Sequence, residues 1–222
     1  MTRTTGSIGQ AFKDAVIPGI GWLYCGFNND PRQERIKLDF RDWKEVFWDP
    51  FASPWLESDK CRYAFFQRWM DLFDLQCLYP EREKEIGEAF SGLSAHDSAD
   101  IVEQDKRVLG STRWSDPERR RIRPVQLWYP VLEKAVFALF PDGQCVEVNT
   151  KLPDAQVYML VRNAQQLITT SVRKLRVKTF IGSYELSDEP SPFPHGQYPF
   201  IPFIGYLDRY LNPFGVPRML SG

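Results

Sequence analysis

The sequence predicts an α+β fold, in which antiparallel β-sheets and hairpins carry a few peripheral helices. Three observations predict it. Several runs alternate apolar and polar residues with period two, as half-buried strands do. An Asp-Gly pair sits between two such runs, the local signature of a hairpin. Seventeen prolines against 14 glycines favour extended segments and stiff connections over a helix bundle. The regular strand–helix alternation of a doubly wound fold is missing, and no internal repeat is visible.

The elements follow in order. Ile8, Phe12, Ala15 and Val16 stand at helical spacing, and Pro18-Gly19 stops that helix. Gly21 to Phe27 is rich in strand formers. After the polar turn Asn28-Asn29-Asp30-Pro31, Ile36, Leu38 and Phe40 alternate with Arg35, Lys37 and Asp39, which completes a hairpin. Asp42 to Trp48 offers a third strand, ended by Asp49-Pro50. Cys61 to Trp69 fits either strand or helix, and the clustered aromatics Tyr63, Phe65 and Phe66 favour strand. Asp71 is placed as the N-cap of a short helix with Leu72, Leu75 and Leu78, closed before Pro80. Glu81 to Phe90 reads as a solvated helix, and Ser91 to Ser115 as a loop or insertion.

From Arg121 the pattern returns. Val125, Leu127 and Tyr129 alternate with Gln126 and Trp128, and the runs Lys134–Phe140 and Gln144–Val148 flank Pro141-Asp142-Gly143. Asp154 to Ile168 is expected to be a helix with Val157, Leu160, Val161, Ala164, Leu167 and Ile168 on one face. A strand follows, with Leu175, Val177, Thr179 and Ile181 on one side and Lys174, Arg176 and Lys178 on the other. The last forty residues are rich in proline and aromatics. The organisation expected is a β-rich part over 1–90 with short helices, a loop or insertion over 91–118, and a second β-rich part over 119–222 with one amphipathic helix.

The bulk chemistry excludes several classes. Net charge is −1, from 28 basic and 29 acidic residues, so the chain as a whole has no general pull toward nucleic acid or anionic membranes. No apolar run reaches the roughly 18–20 residues a membrane helix needs. Cys25, Cys61, Cys77 and Cys145 lack metal-ligand or CxxC spacing and read as reduced, mostly buried thiols. His96 and His195 stand outside any nucleophile–base motif and read as surface loop histidines. Asp97, Asp100, Glu103 and Asp105 form an acidic cluster without the glycine and ligand pattern of a calcium loop. Gly19-Ile20-Gly21 follows a helix and enters a strand, the reverse of a phosphate-binding turn. No catalytic, cofactor or metal residues are therefore assigned.

Two alternatives stay open at this stage. Trp43, Trp48 and Trp55 could border a sugar-binding cleft if two carboxylates faced each other nearby. Two basic clusters, Arg113, Arg119, Arg120, Arg121, Arg123 and Arg173, Lys174, Arg176, Lys178, could track phosphates if they shared a face. A solvated strand face, or contact with an acidic neighbouring subunit, is the ordinary reading of both clusters.

Several colinear stretches resemble the portal proteins of short-tailed bacteriophages. They are Gly19-Ile20-Gly21-Trp22, Val46-Phe47-Trp48-Asp49-Pro50 with Ser58-Asp59-Lys60-Cys61-Arg62, and Leu72 to Tyr79. Arg121 to Glu133, the basic strand from Arg173, and Tyr198-Pro199-Phe200-Ile201-Pro202-Phe203-Ile204-Gly205 complete the set. The match in order and spacing runs from about Ala11 to the C-terminus, and the family pattern does not align over Ser91–Ser115. The resemblance implies a structural, non-enzymatic protein without cofactors, part of a dodecameric ring at the head–tail junction of the virion, made in the bacterial host cytoplasm. It implies other portal subunits, terminase, tail adaptor proteins and double-stranded DNA as partners, and no membrane. The chain corresponds to the peripheral wing and is expected to be a fragment, cut before a stem helix and lacking the stem and clip, so no functional residues are carried over. On this reading the chain alone is expected to be monomeric or loosely associated, with apolar strips such as Phe200–Tyr206 partly exposed.

Overall fold

The computed structural model describes residues 3–28, 31–32, 34–57, 60–99, 114–148, 153–193 and 196–220. It is an α+β architecture of antiparallel sheets with helices at their margins.

Helix α1 (Arg3–Val16) ends where expected, one turn before Gly19. The Gly19 N–H reaches back to the Asp14 carbonyl at 3.1 Å, and Gly19 adopts φ +106°, a conformation open to glycine at little cost. Strands β1 (Ile20–Phe27) and β2 (Ile36–Arg41) form the expected hairpin, with Phe27 opposite Ile36. Strand β3 (Val46–Trp48) departs from expectation. It leaves the hairpin and pairs instead with β4 (Ala64–Gln67), the central part of the expected Cys61–Trp69 strand.

Strand β5 (Met70–Asp71) leads into α2 (Leu72–Leu78), which stops before Pro80. Asp71 holds the N-cap position, yet its side chain makes no capping bond; it pairs with Arg121 at 3.1 Å. Helix α3 (Glu83–Ala99) corrects two expectations. It continues through 91–99, where small polar residues suggest a loop. It is also not merely solvated, because Ile86 and Ala89 are buried. The remainder of the expected loop, up to residue 113, lies outside the described residues.

Short strands β6 (Ser115–Asp116) and β7 (Arg121–Ile122) join β5 in a small sheet. Strand β8 (Val125–Leu139) is one continuous element and turns at Asp142-Gly143 into β9 (Cys145–Glu147). Gly143 takes φ +83°, so the Asp-Gly signal is met. Pro130 lies in β8 beyond the reach of β4, which pairs only with Val125–Trp128; with one neighbour fewer, the missing N–H is tolerated there.

Helix α4 (Asp154–Asn163) is shorter than expected, because residues 166–168 belong to β10 (Gln166–Ile181). Leu167 and Ile168 pair across the sheet with Ala138 and Phe137. Strand β11 (Tyr184–Pro190), unexpected from the sequence, follows on the turn at Gly182-Ser183. The chain closes with β12 (Phe200–Ile204), β13 (Tyr206–Leu207), β14 (Pro213–Phe214) and α5 (Val216–Leu220).

Two larger sheets result, β12-β1-β2 and β11-β10-β8-β4-β3, the second with β9 beside β8. Each takes strands from both ends of the sequence. Two hydrophobic clusters form. One gathers Ile20, Trp22, Val46, Leu56, Trp128, Leu175 and Phe200; the other gathers Leu72, Leu75, Ile86, Ile122, Ile181 and Leu186. Strand β10 serves both, through Leu175 in the first and Ile181 in the second.

Candidate functional site

The basic strand is the first candidate. Lys174, Arg176 and Lys178 do share one side of β10, but each meets an acidic partner. Lys174 pairs with Glu147 of β9, Arg176 with Asp188 at 2.9 Å and Lys178 with Glu185 at 2.5 Å. Asp188 also accepts the Tyr129 hydroxyl at 2.9 Å. Arg173 donates to the Cys61 carbonyl at 3.3 Å, which the buried Tyr198 hydroxyl also reaches at 3.0 Å. Burial holds that phenol above its ordinary pKa, so it remains a donor. The strand's cations are thus used for cross-strand pairing and loop anchoring.

The other cluster sits in the small β5-β7-β6 sheet and its turn. Arg121 pairs with Asp71, and Arg123 lies over the Trp69 ring at 4.6 Å. Arg119 and Arg120 are exposed, and Arg113 lies outside the described residues. Such a distribution predicts no strong, salt-dependent binding of duplex DNA. Fluorescence anisotropy at ~50–200 mM salt checks this, since a run of phosphate contacts would give a change of several orders of magnitude in affinity.

The sugar-cleft arrangement is not what these residues form. Trp43 and Trp55 are exposed, but Trp48 packs on Trp22 at 5.3 Å. The cavity beside Trp48, about 260 Å³ and also bordered by Phe47 and Tyr210, has no carboxylate in its lining. Asp49 is the one buried carboxylate among the described residues, and it is occupied structurally. Arg62 Nε donates to it at 2.6 Å and an Arg62 terminal nitrogen at 3.1 Å, while the Phe51 N–H adds a bond of 3.0 Å. The ion pair clamps the 49–62 loop shut.

That clamp carries a pH signature. The Arg62 hydrogen bonds, helped by the Phe51 N–H, hold the Asp49 carboxyl at about 2, below its usual 3.8. A depressed folded-state pKa means the stabilisation is complete above the unfolded value and disappears as pH falls through the folded one. Asp49→Asn is therefore expected to lower Tm at neutral pH and to flatten its decline between pH ~4 and ~2. Thermal melts of both proteins across that range check it.

The remaining candidates stay apart. Of the four free thiols Cys61 alone is buried and Cys25 is half-buried; Cys77 and Cys145 are exposed, so the expectation of mostly buried thiols is corrected. Cys77 projects from the outer side of a short helix, and Cys145 from the edge strand β9. His195 and the side chains of His96 and Asp97 lie outside the described residues, as do Asp100, Glu103 and Asp105. Among the described residues no group of three or more His, Cys, Asp or Glu is placed to hold a metal, and no helix is long and apolar enough to cross a membrane.

A different surface emerges that the sequence did not single out. Beyond Pro130, β8 runs out with β9 and the first half of β10 as an arm crowned by α4, a helix with no buried residue. Leu132, Val136, Val146 and Leu167 share one face of this arm by register, and all are exposed, Leu132 to 76%. Tyr158 and Met159 of α4 are exposed as well, at 64% and 54%. Isolated exposed apolar residues are ordinary; here several share a face that also carries Lys134 and the buried Ala138. In the sequence, 135–139 is an unbroken apolar run, so period two could not assign either face of it to a core.

The molecule thus offers packed sheets, internally neutralised cations and an apolar arm, all compatible with assembly. No curated protein matches the chain. A family model, however, matches residues 2–221, nearly end to end, and by that match the chain belongs to the family of phage P22-like portal proteins, structural proteins of the virion's portal vertex.

Proposed function

We propose that this chain supplies a wing-type, non-catalytic part of the portal ring, and that the β8–β10 arm with α4 is its contact with the neighbouring subunit. Family membership carries the structural role, with an oligomeric ring through which DNA passes. The observation that carries the assignment of the arm is its row of exposed apolar residues on a single face, Leu132, Val136, Val146 and Leu167. A ring subunit needs two different patches, one for each neighbour, because its contacts are head to tail. The arm serves as one of them. Contacts with terminase and tail adaptor proteins belong, in this reading, to other parts of the ring.

Sedimentation velocity over a wide concentration range tests the arm. The wild-type chain is expected to associate reversibly as concentration rises, and Leu132→Asp with Leu167→Asp to abolish this. Leu132 is 76% and Leu167 46% exposed, so the double variant should stay folded at a cost of about 1–2 kcal/mol, aspartate being a poor strand former. A chain monomeric at every concentration, or a double variant that associates like wild type, would overturn the assignment.

A further inference from the structure

Where the two hydrophobic clusters meet there is a cavity of about 220 Å³. Tyr24 and Phe66 line it from the first cluster, Leu75 and Tyr79 from the second, and Arg41 and Arg68 also border it. Arg41 is the unusual member. Its side chain is only 15% exposed, and its guanidinium stacks over Phe66 at 4.8 Å and Tyr24 at 5.3 Å. The nearest carboxylate in an ion pair with it, Asp39, is 3.7 Å away and is itself held by Lys37 at 2.8 Å. The Arg41 Nε–H is buried and has no acceptor.

A buried guanidinium normally sits at about 2.7–2.9 Å from its carboxylate, often through two bonds. Arg41 lacks that, and its neighbours do not compensate. Burial first, and then Arg68, disfavour its charge, against weaker support from Asp39, Glu45 and Tyr24. Leaving a charged donor without a partner is costly in a low-dielectric setting, and an anion entering the cavity would relieve it. Aromatic and aliphatic walls beside two guanidinium groups suit a ligand with both characters. At 220 Å³ the cavity is smaller than the roughly 300–1,000 Å³ of a drug-sized pocket, which limits the stem to about one ring.

We infer that this cavity is a binding site for a small amphipathic anion, a carboxylate or phosphate monoester on a single-ring or short aliphatic stem. Arg41 and Arg68 take the anionic end, and Tyr24, Phe66, Leu75 and Tyr79 take the stem. The inference is independent of the portal assignment, because it rests on the cavity and not on assembly.

The test is calorimetric titration of the full chain with phenyl phosphate and with benzoate, next to inorganic phosphate and phenol as the two halves of the ligand. Saturable one-site binding of at least one amphipathic anion is expected, about tenfold or more tighter than either half alone. Arg68→Gln, at an exposed position, should keep the melting profile and weaken binding about tenfold. Arg41→Gln should abolish binding; if it also impairs folding, Arg68→Gln alone decides. No saturable binding by wild type, equal binding of inorganic phosphate, or binding indifferent to Arg68→Gln would overturn the proposal.

Discussion

Replacing Trp128 with alanine is expected to destabilise the protein by about 3–5 kcal/mol, the range for truncating a fully buried large aromatic. Trp128 is 1% exposed and stands on β8 between Ala64 of β4 and Val177 of β10. Its ring meets Phe193 at 5.9 Å and Phe200 edge-on at 6.4 Å, so one side chain joins the five-strand path to β12 of the other sheet. Alanine would leave a cavity between two sheets whose backbones are held by their own hydrogen bonds and cannot close over it. Trp128→Phe should cost much less. The indole N–H is buried without an acceptor, so phenylalanine loses some area but also removes an unsatisfied donor, an offset of about 1–3 kcal/mol. Urea unfolding of the three proteins checks both expectations. An alanine cost below about 1.5 kcal/mol, or a phenylalanine cost equal to it, would contradict the packing account.

Trp128 also shows what the sequence could and could not convey. Its strand was legible from alternation, as were the β1–β2 hairpin, the Asp142-Gly143 turn, the end of α1 at Pro18-Gly19 and the short helix before Pro80. All are set by neighbours within a few residues. The failures have a common cause. Residues 164–168 continue the helical spacing of α4, yet pairing with Phe137 and Ala138 draws Leu167 and Ile168 into β10, where the β-branched run of Ile168, Thr169 and Thr170 is equally at home. Val46–Trp48 has strand character, but nothing local says that its partner is β4 and not β2. Small residues after Ser91 lower helix propensity without ending α3.

The same distinction governs the candidate sites. The basic face of β10 was visible, and its acidic partners Glu185 and Asp188 were not, because β11 was not foreseen as a strand. Arg41, Arg68, Phe66 and Tyr79 come together only through long-range pairing, so no spacing rule could have found their cavity. The family, by contrast, was legible because the colinear order of many weak motifs survives ignorance of which strand pairs with which.

The second large effect concerns how α1 is seated. Substituting Gly21, Gly205 or Gly215 with alanine is expected to lever the C-terminal half of α1 off the β12-β1-β2 sheet. A Cβ at Gly21 would collide with the Ala11 carbonyl oxygen, one at Gly205 with that of Ala15, and one at Gly215 with that of Ile17. The obstacles are backbone atoms and not flexible side-chain ends, so relief requires the helix itself to move. Ala11 and Ala15 are buried at this contact, and their small side chains let the helix approach the strands so closely. Overpacking of this kind costs about 1–3 kcal/mol per site, and more where the backbone cannot yield. Gly21 is the severest case, because β1 is held on both sides, by β2 and β12, and cannot retreat. Gly6 and Gly9 of the same helix have open space around them, so alanine there should be neutral or stabilising by up to about 1 kcal/mol through helix propensity. Opposite signs for glycine-to-alanine changes within one helix–sheet contact are the discriminating result, read as midpoint shifts in urea. Hydrogen exchange adds location: in Gly21→Ala the α1 amides should exchange faster while those of β8 and β10 keep their protection. If Gly21→Ala left α1 protected and the midpoint unmoved, the close approach of helix and strand described here would be wrong.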